Sequence, residues 1–317
     1  MTTQKKRPIY SHSRLSTFEQ CPLKFKFRYL DKIKPEIEKT IEAHLGTAVH
    51  DTLEWLYENV MNKKIPTIDE VINYYAVKWQ DSYTHDTIIV KKQLSAKDYF
   101  NKGIQFLLDY YTKNSPFDEN TLETEKKIIV ELDENREYKI QGFIDRLVFN
   151  AKTGEYEIHD YKTANSLPTK DKVETDRQLA LYSIAIKDKF GYNKNILLVW
   201  HYLAHNQKIT SRRTNEQLSQ LKKETIELIN KIESTNSFPS NKSILCEWCE
   251  YKTICPEFGG TPPIIEKQIE LDIFSESVEK TPEQKDKSDN LLGRVVPPRA
   301  AEGRLWPSRR KRALRSR

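Results

Sequence analysis

This sequence lacks long apolar runs and any segment built like an export signal. Of its 317 residues, 37% are hydrophobic and 31% are charged, and no apolar run approaches the roughly 20 residues that a membrane-spanning helix needs. The N-terminus, MTTQKKRPIYSHSRL, is basic but has no apolar stretch of the kind that secretory signals carry. We therefore expect a cytoplasmic protein with no membrane partner, large enough for one large domain or two ordinary ones.

The body of the chain also lacks a surplus of basic residues. The formal net charge is +6, but the C-terminal segment 293–317 holds eight Arg and one Lys against a single Glu. Without that segment, residues 1–292 carry a charge of −2. Binding to nucleic acid would therefore need a local groove, because overall charge does not supply the attraction.

The C-terminal segment 293–317 differs in composition from everything before it. It contains no Asn and no Ile, and as many Arg as residues 1–292 together. Such a segment is a nucleic-acid-binding arm or localisation patch, a disordered tail, or sequence appended to the natural chain. The chain is already polar and charged from about residue 260, so we predict a disordered tail over 259–317 and assign it no function.

Apolar periodicity predicts that helices dominate the chain up to residue 115, and that strands and further helices follow. Spacings of three and four between apolar residues indicate helices, and these fall at 13–32, 41–61, 69–80, 96–113, 171–189 and 214–234. Three strand-like segments within 122–162, separated by turn residues, predict an antiparallel meander, and 195–204 reads as a strand buried on both faces. We expect a helical region over 1–120, and an α/β core with a cysteine-rich segment over 121–258.

The segment GFIDRLVFN, residues 142–150, places a carboxylate on an apolar strand. Side chains alternate between the two faces of a strand, so Asp145 is expected to share a face with Phe143, Leu147 and Phe149. An unpaired carboxylate among apolar neighbours is costly to bury. The position therefore calls for a partner charge or a ligand.

The next segment, EYEIHDYK, repeats this arrangement, with Asp160 and Lys162 expected on the face of Ile158. A structural ion pair between Lys162 and one of the two aspartates would account for it. A metal site is the alternative, because two aspartates and one lysine leave a net negative charge and Mg²⁺ prefers carboxylate oxygens. Such an ion lowers the pKa of bound water and stabilises charge on a phosphoryl oxygen, and a nearby lysine can orient the water or share its proton.

Four motifs in order make the chain resemble the PD-(D/E)XK nuclease superfamily, in its RecB-like branch, over about residues 10–258. They are GTAVH with Gly46 and His50, GFIDR with Gly142 and Asp145, DYKT with Asp160 and Lys162, and QLALY with Gln178 and Tyr182. The resemblance implies a restriction-endonuclease-like fold, with a central mixed sheet flanked by helices. It also implies metal-dependent hydrolysis of DNA phosphodiester bonds.

The same resemblance implies a role for each motif residue. Its metal ligands for Mg²⁺ or Mn²⁺ would be His50, Asp145, Asp160 and the carbonyl of Tyr161. Lys162 would be the catalytic lysine, acting with Asp145 and Asp160. Gln178 and Tyr182, which lie on one face of a helix because their spacing is i, i+4, would position DNA.

The residues by themselves say less about three of these positions. A pair such as Gln178 and Tyr182 on a helix is more often an ordinary surface or boundary pair. A lone histidine such as His50 is more often structural, and Glu54, one helical turn on, could simply bond to it. Glu125 is an additional acidic candidate for the site.

The four cysteines are spread unevenly, with Cys21 far from Cys246, Cys249 and Cys255. In a cytosolic protein, C-x-x-C favours metal or redox chemistry over disulfides, and four thiolates suit zinc or an iron–sulfur cluster equally. The RecB-like subset that includes the AddB nuclease domain and CRISPR-associated four-cysteine exonucleases is similar: one cysteine precedes the nuclease core and three follow it. That similarity implies a [4Fe–4S] cluster, with zinc as the alternative.

We therefore predict a metal-dependent deoxyribonuclease, an exonuclease in DNA repair and recombination or in CRISPR adaptation. Its partner would be DNA, as single strands or duplex ends, with aromatic side chains beside the site available for base stacking. The sequence has no G-x-x-x-x-G-K-[ST] loop, so a helicase or a CRISPR adaptation integrase would be a separate chain. The alternatives are a non-catalytic DNA-end-binding or structural module of the same fold, and a zinc-stapled RNA-processing protein.

Overall fold

A computed structural model describes residues 7–35, 39–84 and 86–263. They lie in one compact unit, Met1–Ile264. The predicted disordered tail falls, from residue 264 onward, outside the described residues. No helix in the described part of the chain has both the length and the apolar character to cross a bilayer.

A mixed sheet of six strands forms the centre of this unit. The strands are β1 (Tyr10–Ser11), β2 (Thr121–Glu131), β3 (Lys139–Asn150), β4 (Glu155–Lys162), β5 (Ile196–Tyr202) and β6 (Gln207–Ser211). Their order is β1-β3-β4-β5-β6, and β2 pairs with β3. The β1–β3 and β4–β5 pairs are parallel and the others are antiparallel. The predicted meander and the mixed α/β fold are thus confirmed.

Eight α-helices accompany the sheet in the described residues. They are α1 (His12–Gln20), α2 (Pro22–Phe25), α3 (Ile41–Met61), α4 (Ile68–Ser82), α5 (Ala96–Asn114), α6 (Lys170–Glu174), α7 (Arg177–Phe190) and α8 (Asn215–Ser234). Side-chain caps fix where several begin: Thr67 and Glu70 form a capping box at α4, and Ser95 and Asp98 form another at α5. Such caps satisfy backbone N–H groups that the first turn leaves free.

Two predicted helices are each broken in two. The helix expected over 13–32 stops at Cys21, because Pro22 starts a new helix and can supply no backbone N–H to the old one. A π-helical turn, Lys26–Leu30, follows. The helix expected over 171–189 divides into α6 and α7, because the Asp176 side chain accepts from the Leu179 backbone N–H and caps α7 there.

Two apolar cores lie on opposite faces of the sheet. Helices α1, α7 and α8 cover one face, around Leu15, Ile158 and Leu181, all fully buried. Helices α3, α4 and α5 supply the other core, which includes Tyr161 on β4. Since Ile158 and Tyr161 differ by an odd number of positions, the strand alternation of β4 agrees with this division.

Strand β3 does not alternate as the sequence predicted. Phe143, expected on the apolar face, is 51% exposed, whereas Ile144 is fully buried on the α7 side together with Leu147. The buried parity therefore changes at Asp145. The β2–β3 pairing has a gap there, since it includes Thr124–Arg146 and Lys126–Ile144 but not Glu125 with Asp145. Glu125 has a left-handed φ of +41°. A non-glycine residue in that region is strained, and strain of this kind clusters at functional sites.

Candidate active site

Strands β3 and β4 separate where their acidic residues lie. Their ladder ends at the pair Arg146–His159. Two positions further along β4, the Tyr161 N–H donates to Asp145 Oδ2 at 2.8 Å instead of to a backbone carbonyl. A side chain thus replaces the next rung of the ladder, and Asp145 is held at the fork between the strands.

Helix α3 brings His50 to this fork. Its Nε2 lies 2.7 Å from the Tyr161 carbonyl oxygen, and because a carbonyl can only accept, Nε2 carries the proton. In a neutral imidazole, Nδ1 is then an acceptor, and it faces Asp145 Oδ2 at 3.4 Å. Two acceptors at this distance repel each other unless a proton or a cation lies between them.

Glu125 completes a set of convergent donor atoms. One ligand atom each from His50, Glu125 and Asp145 lies within 4.8 Å of the other two. Two carboxylates and an imidazole match the ligand types that divalent ions use in proteins. The chemistry of this donor set therefore fits a divalent cation.

Asp160 and Lys162 form an ion pair beside this set. Lys162 Nζ lies 2.7 Å from Asp160 Oδ2, and the Asp160 side chain is buried. Gln178 on α7 bridges the pair: its Oε1 accepts from Lys162 at 3.3 Å and its Nε2 donates to Asp160 Oδ1 at 3.4 Å. The amide thereby fixes both side chains against the start of α7.

Asp145 and Glu125 hold protons more tightly than isolated carboxyls do. Burial, together with the nearby Asp160 carboxylate, raises the pKa of Asp145. Burial and the charges of Asp145 and Glu54 raise the pKa of Glu125 to about 7. Burial lowers the pKa of Lys162, but the Asp160 and Asp145 charges outweigh it, so the net shift is upward. The site is thus a buried excess of negative charge.

Tyr182 supports the fork from the α7 side. Its ring packs directly on the backbone of Gly142, where a Cβ would overlap the ring atoms. The glycine of GFIDR and the tyrosine of QLALY therefore depend on each other, although they belong to separate motifs on a strand and a helix.

Arg146, which the sequence analysis did not single out, anchors β3 behind the site. It is fully buried, donates to Glu119 at 2.7 Å and to His159 Nδ1 at 2.8 Å, and its guanidinium lies 4.0 Å from the centre of the Tyr57 ring. Because it follows Asp145 directly, these contacts hold the fork in place. An arginine within an apolar strand, next to an aspartate, was the available signal.

The structure brings together residues from all four predicted motifs. His50, Asp145 and the Tyr161 backbone meet at the fork, and Asp160, Lys162 and Gln178 lie beside it. Glu125 belongs to the compact donor set, whereas Asp160, one of the expected ligands, contacts Lys162 and Gln178 instead.

The four cysteines line a single surface cavity away from this fork. Cys21 comes from the junction of α1 and α2, and Cys246, Cys249 and Cys255 come from short 3₁₀ turns after α8. The Lys24 N–H lies 3.5 Å from Cys21 Sγ and the Ser243 N–H 3.4 Å from Cys246 Sγ. Three lysines, Lys24, Lys242 and Lys252, share the cavity.

Comparison with known families agrees with this geometry. The sequence model of the PD-(D/E)XK nuclease superfamily matches residues 9–256. The chain belongs to this superfamily. No curated protein matches it.

Among solved structures, the nuclease is similar in fold to SSO0001 at 16% identity and a TM-score of 0.37, covering 80% of this chain and 88% of that one. It is also similar to a protein of Eubacterium rectale named "Putative exonuclease", at 12% identity and a TM-score of 0.44, covering 82% and 92%.

Proposed function

We propose that this nuclease is a divalent-metal-dependent deoxyribonuclease that degrades DNA from an end. The observation that carries the proposal is the convergence of donor atoms from His50, Glu125 and Asp145, with the Asp160–Lys162 pair beside them. A purely structural ion pair would not need three further polar groups at a break in the sheet. The membership of the superfamily gives the reaction class, hydrolysis of a phosphodiester bond.

We assign the ligand positions to His50, Asp145, Asp160 and Glu125. When bound, Mg²⁺ or Mn²⁺ would polarise the phosphoryl oxygen and make water a better nucleophile. The buried carboxylates hold the ion's positive charge where it is least screened. The carbonyl of Tyr161, the other ligand that the resemblance implied, accepts from His50 here, and its second lone pair would be available to the ion.

We assign Lys162 the role of orienting the water molecule that attacks the phosphorus. Because its pKa is raised, it stands as an ammonium that can orient a water molecule and stabilise developing negative charge. Gln178 restrains it through a hydrogen bond, and Asp160 holds it through charge. Attack in line with the leaving oxygen then depends on how well these contacts fix Nζ.

Incubation of end-labelled single- and double-stranded DNA with Mg²⁺, Mn²⁺ or EDTA tests the proposal. We expect shortening of the labelled strand from one end, dependence on the added ion, and a loss of about 100-fold or more in rate for Asp160→Asn and Lys162→Met. Products labelled at 5′ and 3′ ends give the polarity. Binding to DNA ends with no cleavage under any ion would indicate a non-catalytic module, and preferential cleavage of RNA would indicate an RNA-processing enzyme.

We also propose that the four cysteines hold a [4Fe–4S] cluster. In a zinc site with Zn–S bonds of about 2.3 Å, tetrahedral geometry puts the sulfurs about 3.8 Å apart. No three cysteines of the described chain offer sulfurs within 4.8 Å of one another, although all four line one cavity. A ligand several atoms across suits that spacing better, and the lysines and N–H groups around it suit a negatively charged cluster.

The pathway we propose is end processing in DNA repair and recombination or in CRISPR adaptation, beside a separate helicase or integrase. The absence of a phosphate-binding loop from the sequence supports a separate motor. Affinity purification from native cells that recovers neither kind of partner would count against this.

A further inference from the structure

One face of the β2–β3 hairpin is open next to the active site. We call the residues Lys127, Ile129, Gln141 and Phe143 the open face. Phe143 is 51% exposed and Ile129 48% exposed, and they lie on neighbouring strands, with Lys127 paired to Phe143 and Ile129 paired to Gln141. Large apolar side chains exposed together, rather than scattered singly, call for an explanation.

The open face lies on the same side of the sheet as His50. Gly142 packs under Tyr182 of α7, and side chains alternate along a strand, so Phe143 points to the opposite side. That side carries Tyr161 and the α3–α5 core, and α3 delivers His50 from it. The side chain of Phe143 and the donor atoms therefore share one side of the sheet.

The spacing along β2 and β3 places the open face about one nucleotide away from the donor atoms. Phe143 is two positions from Asp145 on β3, and its paired Lys127 is two positions from Glu125 on β2. Two steps along a strand span about 6.6 Å, comparable to one nucleotide step of a stretched single strand. A phosphate at the donor atoms would thus bring the adjoining base to Phe143, with the exposed Lys127 within reach of the next phosphate.

We propose that Phe143 is a stacking platform for the base adjoining the scissile phosphate, and that the enzyme consequently prefers single-stranded DNA. Stacking on an aromatic ring needs an unpaired base, whose π-face is then free, and it is indifferent to sequence. This inference rests on the proposed nuclease function. The occupant of the open face is the substrate strand, because the face is continuous with the site and carries a lysine rather than carboxylates beside the ring.

Steady-state kinetics on single-stranded oligonucleotides tests the proposal. We expect Phe143→Ala to raise KM about 5- to 100-fold with kcat little changed, and Phe143→Trp to restore the KM. Tyr192→Ala, at an exposed aromatic beyond the far end of α7 (61% exposed), is the matched control and should leave both constants unchanged.

A second measurement reports stacking directly. Oligonucleotides with 2-aminopurine at successive positions from the end, bound to the Asp160→Asn enzyme, should show quenching at one position. That quenching should be absent in Asp160→Asn/Phe143→Ala. An abasic nucleotide at the same position should weaken binding by the wild-type protein as much as Phe143→Ala does, with no further loss when both are combined.

The outcomes separate the two proposals. If the wild-type protein cleaves no DNA at all, the proposed function fails. If it cleaves single strands but Phe143→Ala changes neither KM nor the fluorescence, only the stacking platform fails. A wild-type dimer that Phe143→Ala converts to monomers would likewise overturn it, since a second copy would then cover the open face.

Discussion

At the scale of single residues, the donors and acceptors of the candidate active site determine which groups can pair with each other. The Tyr161 N–H and carbonyl are both used, by Asp145 and His50. The amide oxygen of Gln178 accepts a hydrogen bond from the Lys162 ammonium, and its NH₂ group donates one to the Asp160 carboxylate. A carboxylate at that position could not make both contacts, because an ionised carboxylate has no donor.

Glu125 gives a prediction about pH at this scale. Its pKa is raised to about 7 from an ordinary value of 4.5, so the folded, metal-free protein keeps a proton that the unfolded chain releases. The stability that this proton contributes is complete below about pH 4.5 and is lost as the pH rises to about 7. Binding of a cation must expel the same proton, so apparent metal affinity should rise with pH over this range.

Calorimetry of Mn²⁺ binding, in buffers that differ in ionisation enthalpy, counts the protons released. We expect Glu125→Gln to release fewer protons at pH 6 than the wild-type protein, to bind Mn²⁺ more weakly at pH 8, and to lose less stability between pH 5 and pH 8. Glu227→Gln, at a position of α8 away from the fork, should match the wild type. Equal proton release from Glu125→Gln and wild type at pH 6 would show that Glu125 does not face the ion.

At the scale of elements, strand β3 and helix α7 are fitted to each other through one glycine. A Cβ at Gly142 would overlap the Tyr182 ring, so Gly142→Ala should cost about 1–3 kcal/mol through overpacking and displace Tyr182 from the fork. In a Tyr182→Ala background the methyl group has room, and the same substitution should cost much less.

Urea denaturation of the two single variants and the double variant measures this coupling. Gly154→Ala serves as the control, because Gly154 has a φ of +71° and no atom near the position of a Cβ. Its cost comes from the backbone alone and should be the same with or without Tyr182. Additive costs for Gly142 and Tyr182 would rule out the close contact between β3 and α7.

The sequence predicted the longer elements well and missed the short ones for physical reasons. Helices α3, α4, α5 and α8 have complete apolar faces and side chains that cap their first turns, so their periodicity locates them. Strand β1 is too short, at 2 residues, to show alternation. Strand β6, QKITS, lies at the edge of the sheet and buries little besides Ser211. Neither β1 nor β6 therefore shows the alternation of apolar and polar residues from which a strand is predicted.

The sequence was enough to predict which residues form the candidate site, but not how the strands position them. Parity placed Asp160 and Lys162 on one face of β4, and both do meet Gln178 from α7. Parity failed on β3, because the side of the strand that is buried against α7 changes between Ile144 and Leu147. This change lies at the gap in the β2 pairing, next to the left-handed Glu125. A rule of strict alternation therefore misplaces Phe143 and misses the open face.

At the scale of the whole molecule, the two ends of the described chain close on each other. The Leu23 N–H donates to the Pro239 carbonyl at 3.1 Å, and Lys24 Nζ lies 2.7 Å from Glu250 Oε2. Tyr251 donates its hydroxyl to the Ile33 carbonyl at 3.1 Å. These contacts bring Cys21 to the cavity shared by the other three cysteines.

A shared ligand predicts that the four cysteines act as a unit. If one cluster joins them, Cys21→Ser and Cys255→Ser should each abolish the brown colour, lower the melting temperature by the same amount, and produce no further loss when combined. Joining Cys21 to Cys246 restrains a loop that includes most of the unfolded chain, and closure of so long a loop is worth several kcal/mol in the chain-entropy account.

Anaerobic purification followed by metal analysis and differential scanning calorimetry checks this, with Ser243→Ala, at another residue of the cavity wall, as the control. About four iron atoms per chain would support the cluster. One zinc ion per chain would instead indicate a zinc site, for which the losses of the two serine variants should also be non-additive. Small, additive losses from the two serine variants would instead mean four unrelated thiols. The fork would then keep its donor set, because the strands, α3 and α7 position His50, Asp145 and Lys162 independently of the cysteine cavity.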